Sequence, residues 1–184
     1  MLRRPHRDGS VESGEGSSVL RRKIALKLIM DDLKLGLTRF DDRLSLQKSV
    51  YLLGELGLHL GYRFTWYLRG PYSPELTRDA FEVSEEKSPI AQQALNYRLG
   101  PNAKDVIETF KILANDNRPA HLDKAKWLEV LASVHYLARY SSVGNNFDAV
   151  FRELSMRKPD LCREKMTLQQ AWQALKKLGM VSDG

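Results

Sequence analysis

The segment Tyr62 to Leu76, YRFTWYLRGPYSPEL, constrains the fold of this chain more than any other. Tyr62, Phe64, Trp66 and Leu68 alternate with Arg63, Thr65, Tyr67 and Arg69, and a period of two is that of a strand buried on one face. The strand runs straight into Gly70 and Pro71. Glycine takes backbone geometries closed to other residues and proline fixes its own φ, so the pair predicts a sharp corner. A helix follows at once, with Ser73 as N-cap and Pro74 at the first helical position, where its missing N–H has no intrahelical partner to lose. Leu76, Ala80 and Val83 form its inward face.

On either side the apolar spacing is helical. Leu26, Ile29, Met30, Leu33 and Leu37 recur at threes and fours and predict a first helix, capped by Ser17 or Ser18 and ending near Gly36. Leu46, Val50, Leu53 and Gly57 mark a second, capped by Asp41 or Asp42 and stopped at Gly57 or Gly61. Leu95, Tyr97 and Leu99 alternate again and predict a partner strand, because a lone strand leaves its backbone groups unpaired.

Asn102 then opens a helix carrying Val106, Ile107, Phe110 and Leu113 inward. Asp123 caps a longer helix with Trp127, Leu131, Val134 and Ala138 along one side. Phe147, Val150, Phe151 and Leu154 predict a short helix stopped by Pro159. The last helix is expected from Thr167, whose spacing to Gln170 fits a capping box, through Leu168, Ala171, Trp172 and Leu175 to Gly179. The expected fold is mainly α, an α+β arrangement with a small two-stranded β ribbon, in one compact multi-helix domain over residues 19–184. Residues 19–115 hold helices and ribbon in a winged-helix-like order, and residues 122–180 form a helical C-terminal half. Residues 1–18, rich in glycine, serine and charge, read as a disordered basic leader.

Charge narrows the function classes. The formal net charge is +6 over 184 residues, but half of the excess lies before Ile24, where Arg3, Arg4, Arg7, Arg21, Arg22 and Lys23 face only Asp8, Glu12 and Glu15. The remainder is too balanced for a dedicated DNA-binding surface. In a winged-helix layout the reading helix would be Pro74 to Lys87, which carries Glu75, Asp79, Glu82, Glu85 and Glu86 against Arg78 and Lys87, so phosphate would repel it. Nucleic acid is therefore a secondary expectation, resting on Arg63, Arg69 and Arg98 of the ribbon and on the basic leader. Cys162 is the only cysteine, which excludes an internal disulfide and fits a reducing, cytoplasmic setting. No apolar run approaches the roughly 18 residues of a membrane span.

Catalytic constellations are hard to assemble. His6, His59, His121 and His135 are scattered without metal-ligand spacing, and His135 reads as a core histidine. The GPYS turn lacks the lysine and glycines of a phosphate loop, and Ser73 lacks a nucleophile elbow, so capping explains it. No cofactor or metal is expected, and a non-enzymatic binding module is favoured over an enzyme.

The run Leu46, Gln47, Lys48, Tyr51 and Leu52, followed by Gly61, Tyr62, Phe64 and Tyr67 and then by Gly70, Pro71, Tyr72, Ser73 and Leu76, resembles the Panacea, or SocA-like antitoxin, domain family. The resemblance covers roughly residues 20–180, with Trp127 to Tyr140 matching a motif of the helical C-terminal half. It departs from the antitoxin pattern at Tyr72 and Ser73, where valine commonly follows Gly-Pro. The resemblance implies a compact helical interaction domain of the kind found in antitoxins, proteolysis adaptors and phage-defence genes, with a toxin or defence component as protein partner. No catalytic residues come with it. The residues themselves point to a partner surface of Arg63, Tyr67, Arg69, Tyr72 and Arg78 around the corner, since aromatic and arginine side chains beside a rigid turn are the types that dominate interface hot spots.

Overall fold

The computed structural model describes residues 2–3, 15–85, 87–115, 118–161 and 165–182. The fold is mainly α. Its helices are α1 (Glu15–Leu33), α2 (Phe40–Glu55), α3 (Pro74–Ser84), α4 (Pro89–Ala94), α5 (Pro101–Asn115), α6 (Lys124–Tyr140), α7 (Phe147–Arg157) and α8 (Lys165–Lys177), with a 3-10 turn at Pro159–Leu161. Short strands β1 (Leu2–Arg3), β2 (Thr65–Tyr67), β3 (Gly70–Tyr72) and β4 (Arg98–Leu99) pair antiparallel as β1 with β4 and β2 with β3.

Helix α6 is the axis of the molecule. Trp127, Leu128, Val130, Leu131, Val134 and Leu137 are buried on every side of it, because α2, α5, α7, α8 and β3 all pack against it. Its stripe is wider than one face, as expected of a helix enclosed by its own domain. The cap expected at Asp123 is in place, accepting from the Lys126 N–H at 2.7 Å. Trp127 keeps its indole satisfied inside the core by donating to the Leu113 carbonyl at 3.3 Å. Among the described residues no helix is long and apolar enough to cross a membrane.

Several boundaries differ from the sequence expectation, each for a local reason. Helix α1 begins at Glu15, so Ser17 and Ser18 lie within it rather than capping it. Leu2 and Arg3, expected in an unstructured leader, pair with Leu99 and Arg98; the rest of that leader before Glu15 lies outside the described residues. Helix α2 is capped by the backbone of Arg39, whose N–H donates to Asp42 at 2.9 Å, so the aspartate acts from the third helical position rather than as the cap itself. Helix α8 starts at Lys165 and buries Thr167, which removes the expected capping box.

The ribbon is the larger correction. The strand around Trp66 does not pair with residues 95–99; it turns back on itself, with Thr65 opposite Tyr72, Trp66 opposite Pro71 and Tyr67 opposite Gly70. Leu68 and Arg69 form the turn with negative φ, and Gly70 follows at φ 81°. A turn of that kind followed by a left-handed glycine closes a hairpin with a bulge, a geometry that glycine supplies without strain. Leu68, expected on the buried side, is consequently at the tip and 76% exposed. Pro71 is tolerated because β3 is an edge strand.

Candidate binding site at the glycine-proline corner

The leucine-glutamine-lysine run of α2 and the corner of the hairpin are two halves of one construction. Gln47 is buried and bonds Ser73 twice, its Nε2 donating to the Ser73 carbonyl and its Oε1 accepting from the Ser73 N–H, both at 2.9 Å. The same Nε2 reaches Thr77 Oγ1 at 2.8 Å, and Thr77 donates onward to the Tyr72 hydroxyl at 3.0 Å. One residue along, Lys48 donates to the Pro71 carbonyl at 2.6 Å with only 1% of its surface exposed. Two neighbouring side chains of α2 thus hold Pro71 and Ser73 directly, and Gln47 reaches Tyr72 through Thr77. Ser73 caps α3 as expected, accepting from the Leu76 N–H. Gly70 lies so close to α6 that an added Cβ would come within 2.6 Å of Ser133 Oγ.

Beneath the corner is a charged cluster. Glu129 of α6 is almost fully buried and receives Lys158 at 2.5 Å, Lys126 at 3.3 Å and Arg69 at 3.6 Å. One carboxylate therefore faces three cations besides Lys48. Burial, reinforced by the charge of Lys158, lowers Lys48 to about 7, and burial likewise lowers Lys158 against the opposing pull of Glu129. Arg157 and Lys158 lie over the Trp66 ring at 5.3 and 5.7 Å, which fixes the inner side of the hairpin by cation–π contact.

The outer side is open. Tyr67 is 58% exposed and packs at 5.6 Å against Tyr72, while Arg69 covers Phe40, itself 55% exposed, at 5.9 Å. Of the expected partner residues, the hairpin brings Tyr67, Arg69 and Tyr72 together. Arg63 is exposed just before β2, and Arg78 is exposed on α3. Phe40 and Leu68 were missed: Phe40 lies far away in sequence, and Leu68 fits the buried alternation until the turn lifts it out.

The acids of α3 do not await a ligand. Glu75 and Asp79 pair with Arg22 at 2.7 and 2.9 Å, and Glu82 pairs with Lys23 at 2.6 Å, so basic residues expected to lean toward nucleic acid are used to dock α1 on α3. Tyr62 joins them by donating to Asp79 at 3.0 Å.

No protein-family model and no curated protein matches this chain. The site therefore stands on its own geometry. A second polar group lies toward the far end of α6. Tyr51 and His135 Nδ1 are 2.7 Å apart, His135 Nε2 is 3.9 Å from Glu55, and Tyr140 donates to both oxygens of Glu55 at 2.8 and 3.0 Å. Burial, aided by the charge of Arg139, lowers His135 to about 4, and burial raises Tyr51 well above its ordinary value. His135 is thus the satisfied core histidine that the sequence predicts. Among the described residues no cluster of His, Cys, Asp or Glu is arranged to hold a metal ion; Cys162 lies outside them.

Proposed function

We propose that this chain is a non-enzymatic protein-binding module with a regulatory, antitoxin-like role, and that it grips its partner with the outer side of the hairpin. One observation carries the reading: Tyr67, Leu68 and Arg69 are exposed together at a hairpin tip whose base is fixed from inside by Gln47 and Lys48, with Phe40 exposed beneath Arg69. Large apolar side chains on a surface held rigid before binding lose little freedom on association, which favours affinity. The surplus of cations over Glu129 extends beside this tip through Arg69 and Lys126, so an acidic partner surface suits it. The resemblance of the LQK and Gly-Pro motifs to the Panacea family supports a toxin or a phage-defence component as that partner. Nucleic acid has weaker support, since Arg22 and Lys23 are already neutralised by α3.

Co-expression with the products of adjacent genes, followed by affinity capture, tests the reading. The expected result is a stoichiometric complex that Tyr67→Ala with Arg69→Ala weakens at least about tenfold while the thermal midpoint is retained. Unchanged capture by that variant would overturn the assignment of the surface. A salt-dependent gel shift with duplex DNA, in the absence of any captured protein, would replace this reading by the nucleic-acid one.

A further inference from the structure

The far end of α6 borders a cavity of about 400 Å³ that the hairpin reading does not use. Its wall is made by Glu55, His135, Ala138, Arg139, Asn145 and residues 179–182. The polar groups in this wall are unusually complete. Asn145 donates through Nδ2 to Ser182 Oγ at 2.6 Å, which fixes the amide, while its Oδ1 is buried and has no partner. Arg139 has no carboxylate partner among the described residues. The Tyr51 hydroxyl and His135 Nδ1 share a hydrogen bond at 2.7 Å; with Tyr51 as the donor, Nε2 carries the ring hydrogen, on the side facing Glu55.

We propose that this cavity binds a free α-amino acid in its zwitterionic form. The ammonium would take the Glu55 carboxylate, and the ligand carboxylate would take the His135 Nε2–H and Arg139. The spacing agrees. His135 Nε2 and Glu55 Oε2 are 3.9 Å apart, too far to bond each other but suited to bracket an ammonium nitrogen and a carboxylate oxygen, which standard bond lengths place roughly 2.7 Å apart. One acid and one base line the cavity with a neutral histidine, so the wall has no net charge to satisfy, and a cation or an anion alone would leave one of them unmatched. The volume is of the size that holds small ligands. Tyr140, bonded to both Glu55 oxygens, and Tyr51, bonded to His135, hold the two recognition groups in place before the ligand arrives.

Isothermal titration calorimetry of the full chain with the common L-α-amino acids, and with their N-acetyl and carboxamide derivatives, decides this. At least one free amino acid should bind at or below millimolar concentration, and blocking either charge should weaken it at least about tenfold. Glu55→Gln, which preserves an acceptor for Tyr140, and Arg139→Gln, at an exposed position, should each weaken binding by a similar factor with an unchanged urea midpoint. Absence of binding by every amino acid at millimolar concentration overturns the proposal. So does equal binding of the blocked derivatives, or unaltered binding by both variants. The hairpin reading is untouched by any of these outcomes, since none of the residues lining the cavity belongs to the hairpin's outer surface.

Discussion

Gln47 and Ser73 exchange two hydrogen bonds, amide side chain to backbone, in the way two strands exchange theirs, although one residue belongs to a helix and the other to a corner. Replacement of Gln47 by Leu keeps the volume but leaves the buried Ser73 N–H without its acceptor, while the Ser73 carbonyl still accepts from the Thr77 N–H. A loss of about 1–3 kcal/mol is expected for the one orphaned donor, with further loss from Thr77. Urea unfolding checks it; a midpoint equal to wild type would show that the corner stands without α2.

Gly70→Ala meets two separate obstacles. The residue has φ 81°, in the left-handed region, and the new methyl would lie 2.6 Å from Ser133 Oγ. The backbone part costs about 1–2 kcal/mol, and the collision adds to it. Combining Gly70→Ala with Ser133→Gly should recover the collision and leave the backbone cost, so the double variant is expected to be more stable than the sum of the singles predicts. Simple additivity would show that the hairpin shifts away from α6 instead.

The pH profile should have two rising limbs. His135 is held at about 4 against an ordinary 6.5; between these values the unfolded chain binds a proton that the folded chain does not, so stability is lost as the pH falls through this window, by about 3 kcal/mol in all. Lys48, at about 7 against 10.5, works in the same direction at higher pH: stability rises above pH 7 until tyrosines of the unfolded chain begin to ionise. His135→Gln should flatten the acid limb, and Lys48→Met should reduce the slope of the alkaline limb, with Lys158 maintaining part of it. Thermal denaturation across the pH range reads both.

What could be read from the sequence was local and periodic. The caps at Ser73 and Asp123, the inward faces of α3, α5 and α6, and the histidine in the core follow from spacing and from the chemistry of chain reversal. The ribbon differs from the expectation because Leu95, Tyr97 and Leu99 alternate like a strand, whereas the true partner, Gly70-Pro71-Tyr72, does not. Nothing in an alternation says which strand it meets, whereas Leu68-Arg69-Gly70 held the turn in plain sight under an apolar residue that looked buried. The contacts of Gln47 and Lys48 were illegible for a different reason: they join residues more than twenty positions apart, through a polar side chain and a backbone group, and backbone groups leave no mark in a sequence. The cavity beside His135 combines Glu55, Asn145 and the stretch 179–182, three regions with no shared period.

The position of α6 at the centre of the molecule also governs how the protein is made. The helix that meets Tyr51 and Glu55 of α2 lies at residues 124–140, so a ribosome delivers the customer long before the cover. At about 5–20 residues per second, the first half of the chain waits several seconds with that side of α2 uncovered. Chains halted before Tyr140 would be natural clients for chaperones and proteases, and cellular abundance would depend on how quickly translation reaches that single helix.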